Sequence, residues 1–408
     1  MRIIEGGITA PKGFLAAGAH IGIKKVKKDL SLLYSQKPSV AAGMFTQNIV
    51  RAAPVIRNEK MIKAGNKIKG IVTISGNANA CTGRQGLLDN EKMAEIYAQM
   101  LHVKQQEILT AATGIIGKEM PMKTIEKGIR SITPNINASR QSAKDAAEGI
   151  ITTDTFLKEL AVELDIGGKV VTIGAMAKGS GMIHPNMATV LAFLTTDAVI
   201  SQRLLQKALI EAVKVTYNMI SVDGSVSTND MALFLANGMA ENEEFTEDSQ
   251  EYQQFLEAVL YINKKLAVQV VQDGEGASKM MATVVTGAKT KEDAGILAKA
   301  VINDNLVKTA IYGEDANWGR ILAAMGGSGG FFNPEGVAIS FANEKGVIHL
   351  MSEGQPIAFD ENKALEILAE RDIIIDIALQ DGVEEAMAWG CDLGHEYIRI
   401  NGEYRLKT

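Results

Sequence analysis

The pattern of apolar and polar positions switches between short runs of period two and longer runs of helical period. Strands are predicted at residues 69–75, which alternate and are rich in β-branched residues, and at residues 168–176. Ser201 is a typical N-cap, and the apolar face of the helix it starts comprises Leu204, Leu205, Ala208, Leu209, Ala212 and Val213. Further helices are predicted at about 138–148, 251–270 and 291–303, and another is predicted to begin near Thr155, where hydroxyl side chains can cap it. This mixture of strands and helices indicates an α/β fold.

Two further predictions concern the borders of elements. Asn90 is a candidate N-cap for a helix whose apolar face includes Met93, Ile96 and Tyr97. Near residues 284–290 the chain is predicted to enter a further α/β unit, because a helix and several strands follow. We therefore expect a separate C-terminal unit over about residues 288–408.

One polar, glycine-rich loop leads directly into an apolar run. The stretch KGSGMIHPNMATVLAFLTTDA starts at Lys178, and its residues 190–194 have the length of a buried strand. Thr189 stands at the join, where a hydroxyl can be held rigidly and still be reached from a cleft, as a nucleophile requires. A β-branched residue that merely begins a strand is equally at home there. The residue pattern leaves both interpretations of Thr189 open.

Three other loops carry glycine or turn residues beside polar side chains. Thr113 and Gly114 follow a strand predicted near 106–110, so a hydroxyl and an unobstructed backbone N–H can converge on a developing oxyanion. Glu275 lies between two glycines, which leaves its carboxylate open to a ligand amine. The segment 221–230 is dense in Ser, Asp and Asn. Turn formation explains each of these loops as well as ligand binding does.

Composition restricts the classes of function. The chain has 408 residues, of which 46% are hydrophobic and 22% charged, and its formal net charge is -6. This balance is ordinary for a globular protein, and it argues against nucleic acid or an anionic membrane as a main partner. The basic cluster at residues 24–28 is interpreted as a solvated loop in preference to a phosphate site.

The sequence gives no indication of a metal site or a membrane segment. Cys81 and Cys391 lack a CxxC pattern, the five histidines are scattered, and no metal is expected. No apolar run is long enough to span a membrane, and the N-terminus lacks the apolar region of a secretion signal. The low cysteine content favours a reducing, cytoplasmic setting.

The stretch that starts at Lys178 resembles the signature of the ornithine acetyltransferase family, whose members move an acetyl group from N-acetylornithine to glutamate in arginine biosynthesis. The resemblance extends from Gly6 to Tyr404. It implies a layered α-β-β-α sandwich of the kind shared with certain aminopeptidases. It also implies self-cleavage between Ala188 and Thr189, which would divide the chain into an alpha piece, 1–188, and a beta piece, 189–408. Two of each piece would form a heterotetramer.

The resemblance assigns roles to individual residues. The freed Thr189 matches the family's nucleophile, and Thr113 and Gly114 match its oxyanion-hole pair. The positions that match substrate-binding residues are Thr152, with Thr153 as the neighbouring alternative, Lys178, Thr189, Glu275 and Asn401. The family usually has Thr or Ser five residues after that asparagine, where this chain has Leu406. The only hydroxyl nearby belongs to Thr408, which is the remaining candidate for that role.

The implied reaction is a ping-pong acyl transfer. N-acetylornithine acetylates Thr189, ornithine leaves, and glutamate takes the acetyl group. The new α-amine of Thr189 would serve as the base, so neither a histidine nor a cofactor is expected, and acetyl-CoA enters only as an alternative donor. Such use of acetyl-CoA would add N-acetylglutamate synthase activity.

Two other classes of function stay open. One is a self-processing N-terminal-nucleophile amidase or aminopeptidase, which would share the cut threonine and the oxyanion hole. The other is an uncleaved binding or scaffold protein that uses the cleft without chemistry. The resemblance over the full length favours the acetyltransferase.

Overall fold

The structure is a computed structural model that describes residues 1–184 and 190–403. Within these ranges the strands are β1 (Arg2–Ile4), β2 (Phe14–Ala19), β3 (Leu30–Phe45), β4 (Ile68–Asn77), β5 (Ile108–Ile115), β6 (Lys158–Ile166), β7 (Lys169–Lys178), β8 (Leu191–Thr196), β9 (Ile220–Ser221), β10 (Met231–Ala236), β11 (Met280–Ala288), β12 (Ala338–Asn343), β13 (Gly346–Ser352), β14 (Gln355–Pro356), β15 (Asp372–Ala378) and β16 (Glu384–Cys391). The helices are α1 (Ala53–Lys63), α2 (Gly83–Leu101), α3 (Met122–Ile132), α4 (Arg140–Ile150), α5 (Gln202–Val215), α6 (Gln250–Gln272), α7 (Lys291–Asn303), α8 (Asn305–Tyr312), α9 (Trp318–Gly326), α10 (Glu361–Leu368) and α11 (His395–Gly402).

The larger sheet has the strand order β1-β6-β7-β8-β10-β3-β4-β5, and β2 also pairs with β3. The long strand β3 joins two parts of this sheet. Its C-terminal half pairs with β10, with Phe45 opposite Met231, and its N-terminal half pairs with β2 and β4, with Leu30 opposite Ile74. We call the part containing β6, β7, β8 and β10 the first half, and the part containing β2, β4 and β5 the second half.

The buried side chains show that the two halves are stacked between layers of helices. Leu194 of β8 belongs to a core cluster with α5 and α6, while its neighbour Phe193 belongs to a second cluster with Ile71 of β4. Val72, on the other face of β4, packs in a cluster with Tyr97 of α2 and with α3. Because successive residues of a strand point to opposite faces, these three clusters define the order α-β-β-α. The layered α/β sandwich predicted for this chain is confirmed.

The smaller sheet has the order β14-β13-β12-β15-β11-β16-β9 and packs against helices α7 to α10. Its short strand β9 pairs in parallel with β16, Ile220 lying opposite Trp389, although β9 precedes β10 of the larger sheet in the chain. The smaller sheet thus draws strands from both sides of the border predicted near residue 288. A separate C-terminal unit stays a prediction.

Helix borders show where local signals suffice. The Ser201 side chain accepts a hydrogen bond from the backbone N–H of Leu204 and caps α5 as predicted, and α7 covers the predicted residues 291–303. The N-cap predicted at Asn90 is wrong, because α2 begins at Gly83 and buries Asn90 inside it. Gly86 leaves no room for a larger residue, since an added Cβ would lie 1.8 Å from the hydroxyl oxygen of Thr82. Close packing therefore explains why Gly86 occurs in the first turns of α2. Because glycine has a low helix propensity, its presence there obscured the start of the helix in the sequence.

A buried ion network joins the start of β6 to the end of α6. The Lys158 ammonium lies 2.8 Å from Asp154 Oδ1 and 2.5 Å from Asp273 Oδ2, and none of the three side chains is more than 2% exposed. The backbone N–H of Thr155 donates to the Asp273 carboxylate at 3.0 Å. Thr155 therefore leads into β6 instead of capping a helix.

The same network reaches the loop after β7. The Asp154 carboxylate accepts hydrogen bonds from the backbone N–H groups of Thr152, at 3.0 Å, and Gly179, at 2.8 Å. Burial alone would raise the pKa of this carboxyl, but the charges of Lys158 and Lys178 and the hydrogen bonds from Lys158 and from the Thr152 backbone hold the pKa well below its usual range. Asp154 is therefore an ion that its neighbours stabilise.

We predict that Lys158→Met lowers the free energy of unfolding by about 3–5 kcal/mol, because it leaves two buried carboxylates without their cation. The change is measured by urea unfolding at neutral pH. Lys92→Met is the matched control, since Lys92 forms an exposed helical pair with Glu95 and its loss should change stability by less than about 0.5 kcal/mol. Equal effects of the two substitutions would contradict the importance of the network.

Candidate active site

A cavity of about 470 Å³ opens where strands of both halves of the larger sheet begin or end. The predicted site residues that line it are Thr113, Gly114, Thr152, Thr153, Lys178, Glu275 and Asn401. Val190 and Leu191, which follow Thr189 in the chain, also line it. The structure thus brings together the predicted residues that it describes, although they come from segments nearly 300 positions apart. Ala188, Thr189 and Thr408 lie outside the described residues.

The end of β5 places Thr113 and Gly114 on one wall. Gly114 has a φ of 130° and pairs with Gly76 of β4. A Cβ on Gly114 would lie 2.4 Å from the backbone carbonyl carbon of Gly76, so only glycine allows this close approach. The ammonium of Lys178 lies 3.4 Å from the Thr113 hydroxyl oxygen. The ammonium group of Lys178 therefore lies beside the hydroxyl group of Thr113, next to the glycine turn.

A second wall is the segment that contains Thr152 and Thr153. Lys24 donates from Nζ to the backbone oxygen of Ile151 at 2.9 Å, and Lys27 donates to that of Asp154 at 3.2 Å. Burial lowers the pKa of Lys24 to about 8, and the nearby Asp29 offsets part of this effect. The interpretation of residues 24–28 as a solvated loop is wrong for Lys24, which supports this wall from behind.

Glu275 contacts the glycine-rich loop that follows β7. Its backbone N–H donates to the carbonyl oxygen of Ser180 at 3.0 Å, and a Cβ on Gly181 would lie 2.3 Å from its carboxylate. The Asn401 side chain donates from Nδ2 to Glu275 Oε2 at 2.8 Å. Lys178 and Glu275 are 9% and 7% exposed. The cavity therefore presents a buried cation and a buried anion, a pair that suits a ligand with both a carboxylate and an ammonium group.

Asp223 joins the glycine-rich loop after β7 to α11, the helix that contains Asn401. Its carboxylate accepts hydrogen bonds from the backbone N–H groups of Met182, at 2.6 Å, and Ile183, at 3.0 Å. The Tyr397 hydroxyl of α11 donates to the same carboxylate at 3.1 Å. One side chain of the loop 221–230 thus holds two parts of the cavity wall together.

The loop 221–230 also contributes lining residues that the sequence analysis did not assign to the site: Ser227, Thr228, Asn229 and Asp230. The Asn229 side chain donates from Nδ2 to the carbonyl oxygens of Ala78, at 2.6 Å, and Ala112, at 2.8 Å. It therefore joins the start of β10 to the ends of β4 and β5. The available signal was the one that singled out Thr189, a polar loop followed at once by an apolar strand.

The described ranges contain neither a cluster of metal-ligating side chains nor a membrane-spanning helix. No group of three or more His, Cys, Asp or Glu side chains is arranged to hold a metal ion in the part of the chain that the structure describes. Among the helices of those ranges, none combines the length and the apolar character needed to cross a membrane.

Comparison with known proteins gives relatives over nearly the whole chain. The chain is 48% identical over 405 residues to the arginine biosynthesis bifunctional protein ArgJ of Caldanaerobacter subterraneus subsp. tengcongensis, covering 99% of this chain and 100% of the relative. It is 48% identical over 408 residues to the protein of the same name from Symbiobacterium thermophilum, covering 99% of this chain and 100% of the relative.

Solved structures include a chain of the ornithine acetyltransferase of Mycobacterium tuberculosis in complex with ornithine. It is 35% identical, covers 46% of this chain and 99% of its own length, and gives a TM-score of 0.43. The model of the ArgJ family matches residues 15–406. With this match and relatives of nearly half identical sequence over their full length, the chain belongs to the ArgJ family.

Proposed function

We propose that this protein transfers an acetyl group from N-acetylornithine to glutamate, in arginine biosynthesis, through an acetyl ester on Thr189. The observation that carries the proposal is the cavity itself, which collects Lys178 and Glu275, the Thr113-Gly114 pair, and Val190, the residue next to Thr189. Membership of the ArgJ family supports the same reaction. The sequence resemblance had favoured this reaction over hydrolysis.

The two buried charges, on Lys178 and Glu275, are complementary to charged groups of the substrates. N-acetylornithine and glutamate both carry an α-carboxylate, and Lys178 is placed to pair with it. N-acetylornithine also carries a side-chain ammonium, for which Glu275 is the complementary anion, held in orientation by Asn401. An amino acid whose ends find both partners is bound in one direction, so its acyl group is presented to the same wall each time.

Self-cleavage makes the nucleophile. The Thr189 hydroxyl attacks the Ala188 carbonyl carbon, the peptide becomes an ester, and water releases Thr189 with a free α-amine. Such an amine has an ordinary pKa of about 7.7 to 8.0, so it is poised as a base near neutral pH. The chemistry of both half-reactions then uses groups of the protein alone and no cofactor.

Thr113 and Gly114 would bind the oxyanion that forms when the acetyl carbonyl is attacked. Each donor in such a hole contributes typically about 3 to 4 kcal/mol to the transition state. The Lys178 ammonium, 3.4 Å from the Thr113 hydroxyl oxygen, orients that hydroxyl and adds positive potential to the wall.

Exclusion of water separates the transferase from an amidase with the same nucleophile. An amidase would release acetate or an amino acid without an acceptor, whereas the transferase retains the acetyl group on Thr189 until glutamate arrives.

We also propose that two alpha and two beta pieces assemble in the cytoplasm into a heterotetramer. An assay with acetyl-CoA as the only donor determines whether the enzyme also makes N-acetylglutamate from it.

We predict that Thr189→Ala abolishes self-cleavage and acetyl transfer together, because one hydroxyl serves both. Mass measurement under denaturing conditions should find a single 43.7 kDa chain for this variant, and two pieces for the wild type, the second beginning Thr-Val-Leu-Ala-Phe. Thr189→Ser is the control, since it retains a hydroxyl and should still be cleaved. An active, processed Thr189→Ala enzyme would contradict the assignment of Thr189 as the nucleophile.

Gly114→Ala should lower kcat/KM by at least about 100-fold, because the added methyl group displaces the wall that binds the oxyanion. Steady-state kinetics on N-acetylornithine and glutamate measure the change. Gly117→Ala is the matched control: Gly117 also has a positive φ, of 77°, but a Cβ there meets nothing within 4 Å. Similar losses in both variants would point to backbone strain alone.

Glu275→Gln should raise KM for N-acetylornithine by about 10- to 100-fold, because it removes one charge-assisted hydrogen bond to the substrate ammonium while keeping the shape of the side chain. Glu396→Gln, an exposed change on α11 outside the cavity, is the control. An unchanged KM in Glu275→Gln would mean that the ammonium binds elsewhere.

A further inference from the structure

A buried carboxyl group before β10 faces the cavity with one oxygen unpaired. Asp230 is 5% exposed and lines the cavity. Within the ranges that the structure describes, its Oδ2 atom has no hydrogen-bond partner. Buried polar atoms in proteins are nearly always paired, and the exceptions tend to have a chemical role.

Another buried acid of the same sheet, Asp197, has a hydrogen-bond partner for each of its carboxylate oxygens. Asp197, at the opposite end of β8, is fully buried, and its carboxylate accepts hydrogen bonds from the backbone N–H groups of Lys12, at 3.0 Å, and Thr172, at 2.8 Å. Those bonds give Asp197 a structural role. Among the described residues, Asp230 has no such pair of backbone donors, one on each oxygen, and its Oδ2 atom, which lacks a partner there, belongs to a side chain that lines the cavity.

The strand register places Asp230 beside Val190, the second residue after the bond that self-cleavage would break. Strands β8 and β10 are parallel neighbours with Met231 opposite Leu191, and the backbone N–H of Met231 donates to the carbonyl oxygen of Val190 at 3.1 Å. Asp230 and Val190 therefore lie side by side where the two strands start. Val190 is joined directly to Thr189.

The protonation of Asp230 suits a proton donor. Burial raises the pKa of this carboxyl well above its usual range, and a hydrogen bond with Ser227 and the charge of Lys178 offset only part of the effect. The other carboxyl group of the cavity, Glu275, is already engaged by Asn401. Asp230 is thus the acid of the cavity that retains its proton to higher pH than an ordinary aspartate.

Self-cleavage, as set out under the proposed function on which this inference rests, needs an acid that the finished enzyme does not need. In the uncut chain the nitrogen of Thr189 is part of an amide, so no α-amine exists to move protons. The C–N bond breaks only as that nitrogen gains a proton, because an amide anion is a very poor leaving group.

We propose that Asp230 is the general acid of self-cleavage. The Thr189 Oγ atom bonds to the Ala188 carbonyl carbon and gives up its proton, the C–N bond breaks, and the Asp230 carboxyl delivers its proton to the Thr189 nitrogen. The proton lost by the hydroxyl restores the Asp230 acid. Water then hydrolyses the ester, which yields the Ala188 carboxylate, the Thr189 hydroxyl and the free α-amine.

Asp230→Asn tests this role, because it keeps the size and polarity of the side chain and removes the acidic proton. We expect precursor of 43.7 kDa to persist, with self-cleavage slowed by about 100-fold or more, the usual contribution of general acid catalysis. Cleavage is followed by denaturing mass measurement at intervals after synthesis. Asp197→Asn is the control for the loss of a buried acid from the same sheet: it gives up one backbone hydrogen bond and some stability, but it should still be cleaved at the wild-type rate.

The remaining outcomes separate the inference from the proposed function. Cleavage of Asp230→Asn at the wild-type rate overturns the role of Asp230 and leaves the transferase intact. A wild-type chain that never cleaves overturns both. If Asp230→Asn gives no cooperative thermal transition, Asp230→Glu decides: cleavage within about 10-fold of wild type supports the acid, and a folded Asp230→Glu precursor that persists overturns it.

Discussion

The buried contact of Lys158 with Asp154 and Asp273 is the constraint on which the cavity depends. Asp154 binds the backbone of Thr152 and Gly179, so the wall after α4 and the loop after β7 are held at one carboxylate. Asp273 ends α6, and its backbone oxygen accepts from the Ser180 hydroxyl at 2.6 Å. An ion pair without solvent tolerates little change in geometry, because each charge loses much of its stabilisation when its partner moves. The positions of Lys178 and Glu275 follow from this network.

Local hydrogen bonds extend this rigidity to the rest of the site. Asn229 joins the two halves of the larger sheet at the end where the cavity opens, and Asp223 joins the glycine-rich loop after β7 to α11. The charges that would bind substrate therefore sit on supports that are themselves bound by backbone groups. A fixed cation beside a glycine turn favours transfer between two amino acids, since the α-carboxylate that donor and acceptor share can bind the same cation in succession.

Sequence reasoning succeeded where the signal was local and failed where packing decided. Ser201 and the residues of α7 follow capping and periodicity rules that depend on neighbours in the chain. Asn90 was misplaced as an N-cap because the first turns of α2 contain Gly83 and Gly86, of which Gly86 is required by close packing. Thr155 resembled a helix cap, but Asp273, which lies more than a hundred residues away, takes its hydrogen bonds. Contacts of that kind leave no periodic trace in the sequence.

The sequence by itself determined the fold class and the family, and it predicted candidate site residues, including Thr113, Lys178 and Glu275, which line one cavity. Those residues were recognisable because they stand in local motifs of glycines and hydroxyls that resemble those of the family. Only the tertiary structure decided that Lys24 supports a cavity wall and that Asp230 lines the cavity with an oxygen that has no hydrogen-bond partner among the described residues. Burial and pairing depend on segments that meet only after folding, so identical turn residues can be solvated in one place and chemically poised in another.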